Sequence, residues 1–269
     1  MTVDYESASR FYDASRSAGP LTVRMLARLL NVGPSCGVLD IGCGTGNFMM
    51  ALGKRAASVV GVDTSPGMLS QAAGKGLEGQ LVRGDALALP FADGAFDAAY
   101  GVQVLHHLRD KAAAVREAYR VLKRGGVLAL QYCSRAQLQT FCCYHYFPAA
   151  LPIDQERIPD TPAVLELLAG AGFIDCRVEA CPMEGRSTGR FYIENPEDYL
   201  SEEYRAGNST FALMAERDIE EGCRRIRADL QSGDADKIAA EFERRARAGI
   251  GRVSFAYARK AASTGALHG

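Results

Sequence analysis

The sequence predicts an α/β protein: a seven-stranded, mostly parallel sheet with helices on both faces, a helical cover before it and a helical cap inserted ahead of the last strand. Three observations carry this expectation. Short apolar runs alternate with helix-period stretches from residue 37 to residue 133, the pattern of right-handed βαβ crossovers. The first run ends in VLDIGCGTG at 38–46, where Gly42, Gly44 and Gly46 leave the backbone bare for a sharp turn or a close ligand. Roughly 65 residues of helical pattern then separate the last two strand candidates, too many for a simple connection.

Taken in order, residues 4–30 suit two short helices broken at Gly19-Pro20, with Leu21, Met25, Leu26, Leu29 and Leu30 on the second. Strand patterns follow at 37–42, 58–63 (SVVGVD), 80–84 (QLVRG), 96–102 (FDAAYGV) and 127–133 (VLALQYC). Helices are expected at 47–56 and at 66–74, the latter opened by Ser65-Pro66. Another carries Val115, Ala118, Tyr119 and Leu122 on one face and is stopped by Gly125-Gly126. Beyond the fifth strand, Thr161 is the expected N-cap of a helix with Leu165 and Leu168 inward and Gly172 as its stop. Residues 174–181 read as a sixth strand, and 251–260 as a seventh, polar enough for a sheet edge. In the insertion, Asn195 caps Pro196-Glu197-Asp198, while Ile219, Cys223, Ile226, Leu230, Ile238 and Phe242 recur at helical spacing. The expected division is a core of 1–186 and 251–269, with its cover at 1–34, and a substrate cap at 187–250.

The chain of 269 residues is 48% hydrophobic and 23% charged, the balance of a globular protein with a sizeable core. Its formal net charge of −1 gives no global field for a polyanion such as nucleic acid. The first residues contain acids and no apolar core of a signal sequence, and no apolar run approaches the roughly 20 residues of a membrane span, so a cytoplasmic location is expected. Eight cysteines without CxxC spacing, set in apolar segments, read as reduced buried thiols.

A glycine-rich turn after the leading strand of such a sheet meets the ligand of the fold. A nicotinamide dinucleotide site would need G-x-G-x-x-G, and Asn47 stands where its last glycine belongs. Asp40, two residues before Gly42, favours a ligand that is cationic on that side. The order DIGCGTG, VGVD, GDALALPF, FDAAYGVQVLHHL and LKRGGVLAL resembles the class I S-adenosylmethionine-dependent methyltransferases, in the small-molecule subgroup typified by the ubiquinone and menaquinone biosynthesis enzymes. The resemblance covers residues 38 to about 134 and implies a Rossmann-like sheet and S-adenosylmethionine as cofactor.

It further implies that the methionine portion lies against Asp40, Gly42, Cys43, Gly44 and Gly46, and that Asp63, with Thr64 beside it, accepts from the ribose hydroxyls. Met68 would pack on the adenine, Asp85 and Ala86 would face its edge, and Gln103 and Val104 would lie near the amino-acid portion. Tyr12 and Arg16 in RFYDASR resemble a segment that closes over cofactor and substrate.

Methyl transfer from a sulfonium is an in-line displacement that chiefly requires alignment and exclusion of water, and a hydroxyl or acidic carbon acceptor gains from a general base. His145, in FCCYHYF, and His106, in the His106-His107 pair, are the base candidates, with packing as the alternative for each. Cys133, Cys142 and Cys143 could suggest a thiophilic metalloid, but their spacing does not chelate, so no metal is expected. Arg190, Tyr192, Tyr199 and Tyr204 in the cap suit a planar or anionic small-molecule acceptor, with carbon or oxygen as the methylated atom. The competing readings are a noncatalytic cofactor-binding regulator, a nicotinamide oxidoreductase and an RNA methyltransferase.

Overall fold

In the computed structural model, residues 18–181 and 195–262 are described. The core elements run α1 Pro20–Leu29, β1 Gly37–Ile41, α2 Asn47–Leu52, β2 Ser58–Asp63, α3 Pro66–Ala72, β3 Leu81–Arg83, β4 Phe96–Val102, α4 Lys111–Val121 and β5 Leu122–Tyr132. After β5 come α5 Arg135–Leu138, α6 Cys143–Tyr146, α7 Ala150–Arg157, α8 Thr161–Gly170 and β6 Phe173–Ala180. The insertion contributes α9 Glu202–Ala206, α10 Glu216–Ser232 and α11 Ala235–Ala248 before β7 Ser254–Lys260.

All seven strands form one sheet in the order β3-β2-β1-β4-β5-β7-β6. Strands β1 to β5 pair in parallel, whereas β7 is antiparallel to both β5 and β6. The order reverses at β1, between β2 and β4, so the crevice at the carboxyl ends of these strands is where a ligand of this topology sits. Apolar side chains from the two faces of the sheet form separate clusters, one with α1 and α2 and the other with α4 and α8.

Local chemistry explains several boundaries. Ser65 caps α3 by accepting from the Met68 amide, and Pro66 supplies a preset first turn. Asn195 accepts from the Glu197 amide as expected. The N-cap of α8, however, is Asp160 rather than Thr161, and its buried residues are Val164 and Leu168 rather than Leu165. Thr161 instead shares a 2.9 Å hydrogen bond with the Tyr132 hydroxyl, so tertiary pairing claims its side chain.

Two sequence expectations are corrected by long-range contacts. Helix α4 ends at Val121, ahead of Gly125-Gly126, because the Lys260 ammonium from β7 takes the carbonyls of Tyr119 and Leu122 at 2.7 Å each. The glycine pair lies inside β5, where the register with β4 shifts between Phe96 and Ala98. Strand β7, expected at an edge, lies between β5 and β6, with Phe255, Ala256 and Ala258 buried, and β6 forms the edge. Polar residues that suggested an edge are held inside: Ser254 accepts from Gln137 at 3.0 Å, and the buried Arg252 guanidinium lies 5.3 Å from the Phe141 ring centroid.

A third apolar cluster joins the insertion to the segment after β5, with Cys142, Cys143, Tyr146, Phe147 and Ala150 packed on Tyr199, Phe211, Cys223 and Ile226. Phe147 lies so close over Gly222 of α10 that a Cβ there would overlap the ring. The insertion therefore packs directly on the segment that follows β5. All eight cysteines are free, and six are buried, in keeping with reduced core thiols.

Candidate functional site

The loop from β1 to α2 holds Gly42, Gly44 and Gly46 at φ of 72°, 52° and 76°, a left-handed sequence that side chains resist. A Cβ on Gly42 would approach Val104 Cγ2 to 2.7 Å, so the residue after β4 presses directly on this turn. Asp63, at the end of β2, supports the loop from the other side: one carboxylate oxygen accepts from the Gly44 amide and the other from the Ser65 amide, both at 2.9 Å. Lys75, absent from the sequence reading, reaches back from beyond α3 to the Thr45 carbonyl and the Asn47 side chain, each at 2.8 Å. Asn47 thereby fastens the loop at the position where a dinucleotide turn would require bare backbone.

Asp40 is 3% exposed and accepts from the Tyr100 hydroxyl at 2.7 Å. Burial, tempered by that hydrogen bond and reinforced by the charge of Asp63, pushes its carboxyl up to about 7. The Tyr100 phenol is driven well above its usual range by the same burial and by Asp40. Cys43 is likewise shifted far up by burial and by the two acids, so its thiol stays protonated. Two carboxyl groups thus converge on the turn, and among the described residues no cationic side chain pairs with Asp40. This donor set fits a ligand with a positive centre.

Asp85 is partly committed elsewhere, accepting from the Leu87 amide at 2.9 Å and lying 3.5 Å from the Arg109 guanidinium, with Ala86 buried behind it. Thr64 is exposed, and Met68 is buried at the start of α3. Gln103 adopts φ of 54° and is held by Gln131, which accepts from its amide at 3.0 Å and from its side chain at 3.4 Å. The strained residue at the end of β4 is therefore fixed by its neighbour on β5.

A cavity of about 110 Å³ opens between the carboxyl ends of β4 and β5 and the insertion. Gln103 and His106 line its core side, Phe141, Tyr144 and Asp154 its flank, and Tyr199, Tyr204 and residues 207–210 its cap side. Asp154, 7% exposed, accepts from the Tyr144 hydroxyl at 2.9 Å and from the Thr210 hydroxyl at 2.8 Å. Arg157 stands 3.6 Å from the same carboxylate and donates to Ser209 at 3.0 Å. One buried acid thus joins α6, α7 and the cap.

Of the two expected bases, His106 lines the cavity, whereas His145 is exposed, packs near Tyr146 and Phe242, and is not among the lining residues. The helical turn that places Tyr144 inward carries its neighbour outward, a distinction the FCCYHYF string does not display. His107 is exposed, with its ring 3.8 Å from that of His106. Cys133 and Cys143 also line the cavity, and no cluster of three metal-ligating side chains occurs among the described residues. Tyr12, Arg16, Arg190 and Tyr192 lie outside the described residues. Tyr144, Asp154 and Thr210 were not singled out from sequence because their proximity exists only after folding.

A mostly parallel sheet with a left-handed glycine turn at its reversal point and acids near the ends of β1 and β2 defines a nucleoside-binding α/β domain. The methyltransferase domain family matches residues 39–130. A demethylmenaquinone methyltransferase of Thermus thermophilus is 34% identical over 165 residues, covering 51% of this chain and 73% of the relative. The malonyl-[acyl-carrier protein] O-methyltransferase of Serratia marcescens is 33% identical over 138 residues, covering 50% of this chain and 53% of the relative. A crystal structure from Anabaena variabilis, described as a methyltransferase of an antibiotic biosynthesis pathway, has 27% identity and a TM-score of 0.74, covering 90% of this chain and 98% of that one. The chain belongs to the class I S-adenosylmethionine-dependent methyltransferases of the small-molecule type.

Proposed function

We propose that the protein transfers the methyl group of S-adenosylmethionine to carbon or oxygen of a small, largely uncharged planar acceptor held under the cap. The observation that carries this reading is the cavity, which adjoins Gln103 at the end of β4 and is walled by the rings of Phe141, Tyr144, Tyr199 and Tyr204. No lysine or arginine is among its described lining residues, which supports a neutral ring over a phosphate. When bound, S-adenosylmethionine supplies an electrophilic methyl group on a sulfonium.

The turn amides from Gly42 to Gly46 and the acids Asp40 and Asp63 would hold the cofactor, with Asp63 serving the ribose. Met68, Asp85, Ala86, Gln103 and Val104 complete the proposed pocket. Residues 187–250 act as the acceptor cap, and the packing of Tyr199, Phe211, Cys223 and Ile226 against Phe147 and Ala150 supports its exclusion of water from the reacting centre. The net charge of −1 supports a small molecule over nucleic acid as acceptor. No described helix is long and apolar enough to cross a membrane, which supports the proposed cytoplasmic location.

Calorimetry with S-adenosylhomocysteine, followed by label transfer from methyl-labelled S-adenosylmethionine to a panel of hydroxyaryl and carboxylic acceptors, tests the reading. Binding with methylation of a planar member is expected. Cofactor binding with no transfer to any acceptor would leave a binding regulator instead.

A further inference from the structure

We propose that Tyr144 and Asp154 form the proton-accepting pair of the acceptor cavity, so that an acidic hydroxyl bound there loses its proton to Tyr144 as Tyr144 passes its own to Asp154. The inference rests on the methyltransferase reading and names the groups that ready its acceptor. Both residues line the cavity, and the phenol donates to Asp154 Oδ2 at 2.9 Å. Asp154 is fixed from a second side by Thr210, whose hydroxyl reaches Oδ1 at 2.8 Å and Oδ2 at 3.0 Å. The carboxylate is therefore positioned and desolvated, and it already receives the Tyr144 hydrogen along the path required.

The step balances within three groups. The O–H bond of the acceptor breaks and leaves its electron pair on the acceptor oxygen. Tyr144 Oη gains that proton while its original proton forms an O–H bond on Asp154, and no oxidant or further reactant is needed. Burial raises the Asp154 carboxyl above its ordinary value, opposed by its hydrogen bonds to Thr210 and Tyr144 and by the charge of Arg157, which brings it nearer to a useful base. Other groups face this pair: Arg157 lies 3.6 Å from Oδ1, with Lys111 and the exposed His107 near Arg157, and His106, Cys133 and Cys143 line the same cavity. Asp154 accepts directly from a tyrosine that lines the cavity.

The test uses 4-nitrophenol, whose ionisation is visible as an absorbance band, added to the full-length protein saturated with S-adenosylhomocysteine at a pH where the free probe is colourless. The wild-type complex is expected to show the nitrophenolate band, and Tyr144→Phe and Asp154→Asn are each expected to lose it while binding S-adenosylhomocysteine with wild-type affinity. Asp154→Asn keeps an acceptor for Thr210 but cannot take the proton. Should that variant fail to fold, Tyr144→Phe decides alone, since it leaves the Thr210 and Arg157 contacts intact. Absence of the band in a wild-type protein that binds S-adenosylhomocysteine overturns the pair. Its persistence in either variant does the same, including when His106→Gln abolishes it. Failure of the wild-type protein to bind S-adenosylhomocysteine overturns the methyltransferase reading, and the pair with it.

Discussion

Replacing Asp40 with asparagine removes the charge beneath the glycine turn while leaving a side-chain acceptor for the Tyr100 hydroxyl, now 2.7 Å from the carboxylate. In the native protein the Asp40 carboxyl is raised from 3.8 to about 7, chiefly by burial. Between these values the folded state holds a proton that the unfolded chain has released, so stability falls as pH rises through the window. The cost is complete above about pH 7 and absent below about pH 4, and converts to ~4 kcal/mol. Asp40→Asn should therefore stabilise the cofactor-free protein at pH 8 by up to ~4 kcal/mol and flatten its dependence between about pH 4 and 7. Urea unfolding followed by far-ultraviolet circular dichroism at several pH values measures both effects. Superimposable pH profiles for the two proteins would refute the assignment of a strained carboxyl at Asp40. Because a cationic ligand restores the charged form, cofactor binding near neutral pH should also release a proton, detectable by calorimetry in buffers of different ionisation enthalpy.

Asp63→Ala removes the acceptor of the Gly44 and Ser65 amides and should weaken S-adenosylhomocysteine binding at least tenfold, on the scale of ~1.5–3 kcal/mol per hydrogen bond to a charge; unchanged affinity by calorimetry would reject its role. Lys75→Met frees the Thr45 carbonyl and the Asn47 side chain and should weaken cofactor binding several-fold with a melting temperature close to that of the wild type. Equal affinity would show that the loop needs no such brace. Gly222→Val drives a side chain into the Phe147 ring and should destabilise the protein by about 1–3 kcal/mol in chemical denaturation. A neutral outcome would mean that the cap can shift away without loss.

The strands of the core were legible because a sheet buried on both faces writes its strands as continuous apolar runs, as in VLDI and VVGVD. Their bounds agree within a few residues at β1, β2 and β4. The acids of the turn were legible for a related reason: Asp40 and Asp63 lie near the ends of consecutive parallel strands, so position along the chain already implies position at one edge of the sheet. The flank of the cavity was not. Tyr144, Asp154 and Thr210 are spread over three segments, and nothing local distinguishes the buried acid at 154 from a solvated helix residue. His145 drew attention by residue type alone, and its exposure follows from the phase of a four-residue helix that periodicity cannot fix over so short a span.

What the sequence determined by itself was the layered α/β architecture, the glycine turn and the two acids beside it, because these depend on periodicity and on backbone freedom, both local properties. The tertiary structure decided where β7 inserts, where α4 ends and which side chains meet under the cap. Each of those outcomes depends on partners more than a hundred residues apart or on burial shared between segments: Lys260 reaches the carbonyls of Tyr119 and Leu122, and Gln137 reaches Ser254. A residue's neighbours along the chain do not reveal such partners, since the free energy that selects them is gained only when the whole sheet closes.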